Sequence, residues 1–467
     1  MRHDQFDESS ACNAASLLIR NADVLVTMDK DRREILGGNI YVENGKISAV
    51  GTLDDMPSRA IDADEILDLR GHVVIPGLVN THHHMDQTLL RVMPAGQDLE
   101  LFGWLQALYR VWRRLTPAMI ETSALTAMAE LILSGCTTSS DHAIYPRGCA
   151  GFDVSIAAAK RIGLRFHMCR GGQSLGTADG GGLSELVVED EDAILKDTQR
   201  LIERYHDGSR YAMVRVAVAP SAPFEVSRDL MRESAKLARH HGVMLHTHLA
   251  ENLQDVAYCR ERFSMTPAQY AEDVGWVGPD VWHAHCVHLD DAGIDLFANT
   301  GTGVSHCPSS NMRLASGIAP VHKMCTAGVP VSFGVDGSAS NDGAQMFGEL
   351  RLALLLQRVA FGSSAMSARH ALEIATLGGA RVLGRDDIGA IAEGMAADLV
   401  AVNLNSIQFA GALHDPVAAL VFCSPPQVAY SVINGRVIVR EGELTTLETA
   451  SAIELHNQYA RELMDSI

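Results

Sequence analysis

Between residues 17 and 51 apolar and polar positions alternate in short runs: Leu17-Leu18-Ile19, Val24-Leu25-Val26, Asn39-Ile40-Tyr41-Val42 and Ile47-Ser48-Ala49-Val50. A period of two is the mark of a half-buried strand, and Asn44-Gly45 supplies a tight hairpin turn. The same style returns near the other end. Asp398-Leu399-Val400-Ala401-Val402 reads as a strand, and residues 430–433, Asn434-Gly435 and residues 437–439 read as a second hairpin. Two β-rich ends flanking a long middle predict one small β-sandwich domain assembled from both termini, residues 1–75 and 389–447. Residues 448–467 predict a closing helix, with helical periodicity from about Thr449 to Met464.

From Pro76 the pattern becomes apolar run, loop and amphipathic stretch, repeated as far as residue 388. Eight apolar runs end near His84, His142, Arg170, Pro220, His248, His288, His306 and Asp336. Between them lie helical stretches such as 118–133, 229–240 and 347–359. Eight strand–helix units predict an α/β fold, a (β/α)8 TIM barrel over residues 76–388 with its functional groups at the C-terminal strand ends. The gap from Arg170 to Met213 opens with Gly171, Gly172, Gly176, Gly180, Gly181 and Gly182, which predicts a loop over the site.

Chemistry concentrates at those strand ends. The first run finishes Thr81-His82-His83-His84, and alternate strand side chains share a face, so His82 and His84 point together as two imidazoles on one metal ion would. Further ends read His246-Thr247-His248-Leu249-Ala250-Glu251, Ala284-His285-Cys286-Val287-His288, Ser305-His306-Cys307 and Gly334-Val335-Asp336-Gly337. Ionisable groups from five strand ends at one level of a barrel are too costly to bury as mere packing. Taken singly, His83, His246 and His288 read as core histidines.

Composition narrows the partners. A formal charge of −19 without basic runs excludes a nucleic-acid or anionic-membrane surface. Every apolar run falls short of the roughly 20 residues that span a bilayer. Residues 1–15 are polar, include Asp4, Asp7 and Glu8, and lack an export core, so they read as a disordered lead-in. Nine cysteines without a CxxC pair predict reduced thiols in a cytoplasmic protein. The expected macromolecular partners are further copies of the chain.

The strand-end motifs, together with Pro76-Gly77-Leu78-Val79-Asn80 before them, resemble the amidohydrolase superfamily. They are similar to its mononuclear aminohydrolases of guanine-, pterin- and triazine-like rings, which implies a small heterocyclic substrate as the partner. Phe102-Gly103-Trp104-Leu105, Ser134-Gly135-Cys136-Thr137-Thr138 and the segment from His306 to Gly317 are most similar to deaminases of oxidised purines. The implied reaction is 8-oxoguanine and water giving urate and ammonia, by attack of metal-bound hydroxide. The resemblance implies that His82, His84, His248 and Asp336 bind one divalent metal, with Zn²⁺ the expected ion. It makes Asp336 the acceptor of the water proton, Glu251 the proton donor to a ring nitrogen, and His285 the stabiliser of the intermediate. The run Val214 to Ser221 has no Lys or Glu at its end to bridge a second metal.

For the substrate pocket the residues point to Gln87, three past the metal histidines, and to Trp104 and Tyr109 as stacking groups. Trp112 also fits a buried aromatic helix face. Arg170 leaves two readings open, a ligand for a ring carbonyl or one arm of a salt bridge. The alternatives are an isoxanthopterin or guanine deaminase and a triazine hydrolase. A non-catalytic scaffold on the same barrel is the remaining reading, and retention of the whole ligand set opposes it.

Overall fold

The structure, a computed structural model, describes residues 15–145 and 150–465. The lead-in expected over residues 1–15 lies outside them, apart from Ala15. Five strands open the chain: β1 (Ser16–Val26), β2 (Glu34–Glu43), β3 (Lys46–Gly51), β4 (Glu65–Asp68) and β5 (His72–Pro76). Eight follow in the barrel: β6 (Leu78–Asn80), β7 (Cys136–Ala143), β8 (Arg165–Arg170), β9 (Val214–Val218), β10 (Leu245–Leu249), β11 (Val281–His285), β12 (Gly303–His306) and β13 (Val331–Phe333). Four close the chain: β14 (Leu399–Asn403), β15 (Tyr430–Ile433), β16 (Arg436–Arg440) and β17 (Glu443–Leu444).

β6 to β13 pair in parallel and close on themselves, β13 beside β6. Every residue of β7 and β8 is buried, as a parallel strand with a packed interior and covering helices requires. The outer strands form one nine-stranded sheet in the order β17-β16-β15-β14-β5-β1-β2-β3, with β4 also against β1. Its central seam joins the two ends of the chain: β5 pairs antiparallel with β14, Pro76 opposite Leu399.

Differences from the sequence expectation are local. The two short runs at 17–19 and 24–26 are one strand, bent by a register shift between Ile19 and Ala22. The ladder of β6 stops at Asn80, so His82 and His84 sit just past the strand. The Thr81 amide still donates to the Phe333 carbonyl and the His142 amide to that of His83, which keeps this segment extended. Helices fall where periodicity placed them. Arg228–His241, for example, begins where the Ser227 hydroxyl accepts the Leu230 amide and stops at Gly242, whose φ is +66°.

A buried ion pair welds sheet to barrel, and a second lies at the same end of the barrel. The Arg165 guanidinium at the start of β8 donates to both Asp398 oxygens at 2.7 and 2.9 Å, and Arg385 does the same to Asp387 at 2.7 and 2.8 Å. Asp398 also accepts the Asn434 amide, which ties in the β15–β16 turn. Among the described residues the cysteines are free thiols, and no helix is long and apolar enough to cross a membrane.

Candidate metal centre and active site

His82, His84, His248, His285, Glu251 and Asp336 meet at the C-terminal mouth of the barrel, all but His248 buried to within a tenth of full exposure. Each of the first three imidazoles has its Nδ1 proton committed. His82 Nδ1 donates to His246 Nε2 at 2.8 Å, His84 Nδ1 to the His142 carbonyl at 2.6 Å, and His248 Nδ1 to the Ser221 carbonyl at 2.7 Å. His246 itself donates through Nδ1 to the Trp282 carbonyl, so its Nε2 is free to accept. The Nε2 lone pairs of the three rings therefore aim inward.

They converge closely. His84 Nε2 lies 3.2 Å from His248 Nε2, and an Asp336 oxygen lies 3.3 Å from His82 Nε2 and 3.4 Å from His84 Nε2. Burial pushes His248 down to about 3 and His82 and His84 also below the ordinary imidazole value, so the rings are neutral. Lone pairs of neutral rings facing one another and a carboxylate repel unless a cation lies between them. Bonds of ~2.0–2.1 Å to a tetrahedral ion put neighbouring donor atoms ~3.3–3.4 Å apart, which matches the spacing seen. The donor set fits one divalent metal.

Backbone strain supports the placement. Ala250, His285 and Asp336 have φ of +51°, +70° and +63°, in the left-handed region that costs a side-chain-bearing residue about 1–3 kcal/mol. Gly334 allows the close approach of β13 to the histidines, since a Cβ there would stand 2.7 Å from that of His82.

Glu251 Oε2 lies 3.4 Å from His285 Nε2. Burial, then the charges of Asp336, Asp255 and Glu225, raises the Glu251 carboxyl well above its ordinary value and favours the proton-bearing form. On the far side of its ring, His285 Nδ1 accepts from Asn311 Nδ2 at 2.9 Å, which leaves the Nε2 proton facing the site. Asn311 orients His285 and does not line the cavity.

Above these groups the cavity is bounded by Leu101, Trp104, Leu105, Leu108, Tyr109 and Trp112 of α1 (Leu101–Trp112), by Ile144, Phe224 and Leu314, and by Gln87 and Ser340. The structure brings Gln87, Trp104 and Tyr109 to it as expected of a pocket for a flat ring. Trp104 Nε1 is held by the Ala339 carbonyl at 3.1 Å. Arg170 is a correction. Its guanidinium donates to Glu189 at 3.0 Å, Asp197 at 3.3 Å and the Gly171 carbonyl at 2.5 Å, stacks over Phe152, and stays out of the cavity.

Three polar residues escaped sequence reading. Gln173 and Glu225 line the cavity from the loops after β8 and β9, and His142 stacks on His248 with its centroid 4.7 Å away. His142 donates through Nε2 to the Ala219 carbonyl and leaves Nδ1 without a hydrogen bond beside the metal-type cluster. Its position at the end of β7 was the available signal. His306 is buried beside Phe333 and is not among the converging ligand atoms.

The amidohydrolase family matches residues 73–438, and the chain belongs to it: it is an aminohydrolase, an enzyme that cleaves C–N bonds with water. It is 43% identical to 8-oxoguanine deaminase from Pseudomonas aeruginosa, over 91% of this chain and 95% of that one. It is 38% identical to isoxanthopterin deaminase from an unknown prokaryotic organism, over 91% and 92%. The crystal structure of atrazine chlorohydrolase TrzN from Arthrobacter aurescens TC1 complexed with zinc superimposes with a TM-score of 0.90, at 32% identity, covering 96% of this chain and all of that one.

Proposed function

We propose that the chain deaminates an oxidised aminopurine, 8-oxoguanine to urate and ammonia. The observation that carries the reaction type is the convergence of three inward Nε2 lone pairs and Asp336 beneath an aromatic-walled cavity. His82, His84, His248 and Asp336 would hold one zinc ion. Such an ion makes water acidic enough to supply a nucleophile near neutral pH.

The chain's own groups then move the protons. Asp336 takes a proton from the attacking water. In a 2-amino-6-oxopurine N1 carries hydrogen, so N3 is the free ring nitrogen beside the reacting carbon, and Glu251 protonates it. His285, with its Nε2 proton fixed by Asn311, stabilises charge on the oxygen that adds to that carbon. As the new C=O forms, Glu251 recovers a proton from the added hydroxyl, and Asp336 gives its proton to the amino nitrogen, which leaves as ammonia. Identity to the P. aeruginosa enzyme over nearly the whole chain supports 8-oxoguanine, and the isoxanthopterin relative marks the nearest competitor.

A panel of 8-oxoguanine, guanine, isoxanthopterin, cytosine and chlorotriazines, read by release of ammonia or chloride, tests the reading. The expected result is one metal per chain by elemental analysis and a kcat/KM for 8-oxoguanine at least about tenfold above guanine. A better rate on guanine or a chlorotriazine would remove the 8-oxoguanine assignment and leave the metal-dependent hydrolase.

A further inference from the structure

We propose that Glu225, held by Tyr109 and Gln173, accepts a ring N–H adjacent to the ring nitrogen served by Glu251. It thereby selects heterocycles that present an acceptor nitrogen and an N–H side by side on one edge. This rests on the deaminase reading above.

Glu225 follows β9 on a loop whose Ser221 carbonyl orients His248, so the carboxyl is built from the same segment as the metal-type cluster. It is buried and lines the cavity together with Glu251. The Tyr109 hydroxyl donates to Glu225 Oε1, and Gln173 Nε2 donates to the same oxygen at 2.8 Å and lies 2.6 Å from the Tyr109 hydroxyl. A carboxylate has about four acceptor positions, and these two donors occupy two of them on one oxygen. Glu225 and Glu251 line this one cavity together with Gln173 and the Tyr109 ring. The proposal places the two carboxyl groups against one edge of a ring held in that cavity.

The chemistry of that edge is definite. In 8-oxoguanine N3 accepts and N9–H donates. In isoxanthopterin the carbonyl at C7 places hydrogen on N8, so N1 and N8–H repeat the pair. In pterin, which lacks that carbonyl, N8 is an acceptor and its lone pair faces the Glu225 oxygen. A 9-methylated purine has no hydrogen to offer. In Glu225→Gln the Tyr109 and Gln173 donors hold the amide oxygen, which turns its NH₂ toward the ligand and reverses the preference.

The test compares isoxanthopterin with pterin, and 8-oxoguanine with 9-methyl-8-oxoguanine, as kcat/KM in the wild-type metalloenzyme and in Glu225→Gln. The first member of each pair should be favoured by at least about tenfold in the wild type. In Glu225→Gln, with metal content unchanged, the isoxanthopterin-to-pterin ratio should fall by at least about tenfold. A general packing defect would lower both rates and leave their ratio intact. Equal rates within each wild-type pair, or ratios that survive the substitution, would overturn the inference. If the variant does not fold, the wild-type pairs alone decide. If none of the four is deaminated, the oxidised-purine reading falls, and calorimetric binding ratios for the same compounds still decide the role of Glu225.

Discussion

The two ends of the barrel bury charge in opposite ways. At the N-terminal end Arg165 and Asp398, and Arg385 and Asp387, are matched guanidinium to carboxylate with every distance below 3 Å. At the C-terminal end Glu251, Asp336 and the histidines stand 3.2–3.8 Å apart with lone pairs opposed and backbones in left-handed conformations. One end has settled its charges within the chain, and the other leaves them for something that arrives. The Arg165–Asp398 pair fixes how sheet and barrel sit together, whereas unpaired burial is a cost that only chemistry accounts for.

Substitutions at the two ends should separate rate from stability. Glu251→Gln is expected to lower kcat by about 10²–10⁴-fold at unchanged metal content, with no loss of thermal stability. Full activity in a metal-replete variant would remove Glu251 from the reaction. Arg165→Met should do the reverse. It strands Asp398, so urea denaturation should show a loss of about 3–5 kcal/mol while kcat in the surviving folded protein stays within a few-fold. His246→Ala blurs the division, because it frees the His82 ring, and equilibrium dialysis should show metal affinity down about 10–100-fold.

The smallest effect is a pH dependence. Asp387 is buried; burial opposes its ionisation, but Arg385 and the Tyr211 amide hold it below the usual carboxylate range. A depressed native value gives stability that is whole above about pH 4 and is lost as pH falls through that value. The stability gap between wild type and Asp387→Asn should therefore shrink as melts are taken from pH 5 toward pH 2. A gap that widens in acid would contradict the sign.

How legible each end was in the sequence follows the same division. His82, His84, His248, His285 and Asp336 could be read because strands deliver them at fixed places relative to an apolar run. Gln173 and Glu225 sit on irregular loops, where no period announces which side chain turns inward. Arg170 was half legible: its strand end was readable, but Glu189 and Asp197, which take its guanidinium, lie beyond a glycine-rich loop whose path spacing alone does not set. The pairing of Arg165 with Asp398 was beyond reach for the same reason, since it joins residues from two different units.

The seam between β5 and β14 sets a timetable for the ribosome. Until Leu399 has been made, the strand ending at Pro76 lacks its antiparallel neighbour, and the intervening barrel takes roughly 15–60 s to synthesise at 5–20 residues per second. Through that interval the nascent chain carries a half-built sheet with an unpaired apolar edge, the kind of surface to which another copy can add. Yield of this enzyme in a cell therefore depends on how well that edge is shielded while the barrel is still being translated.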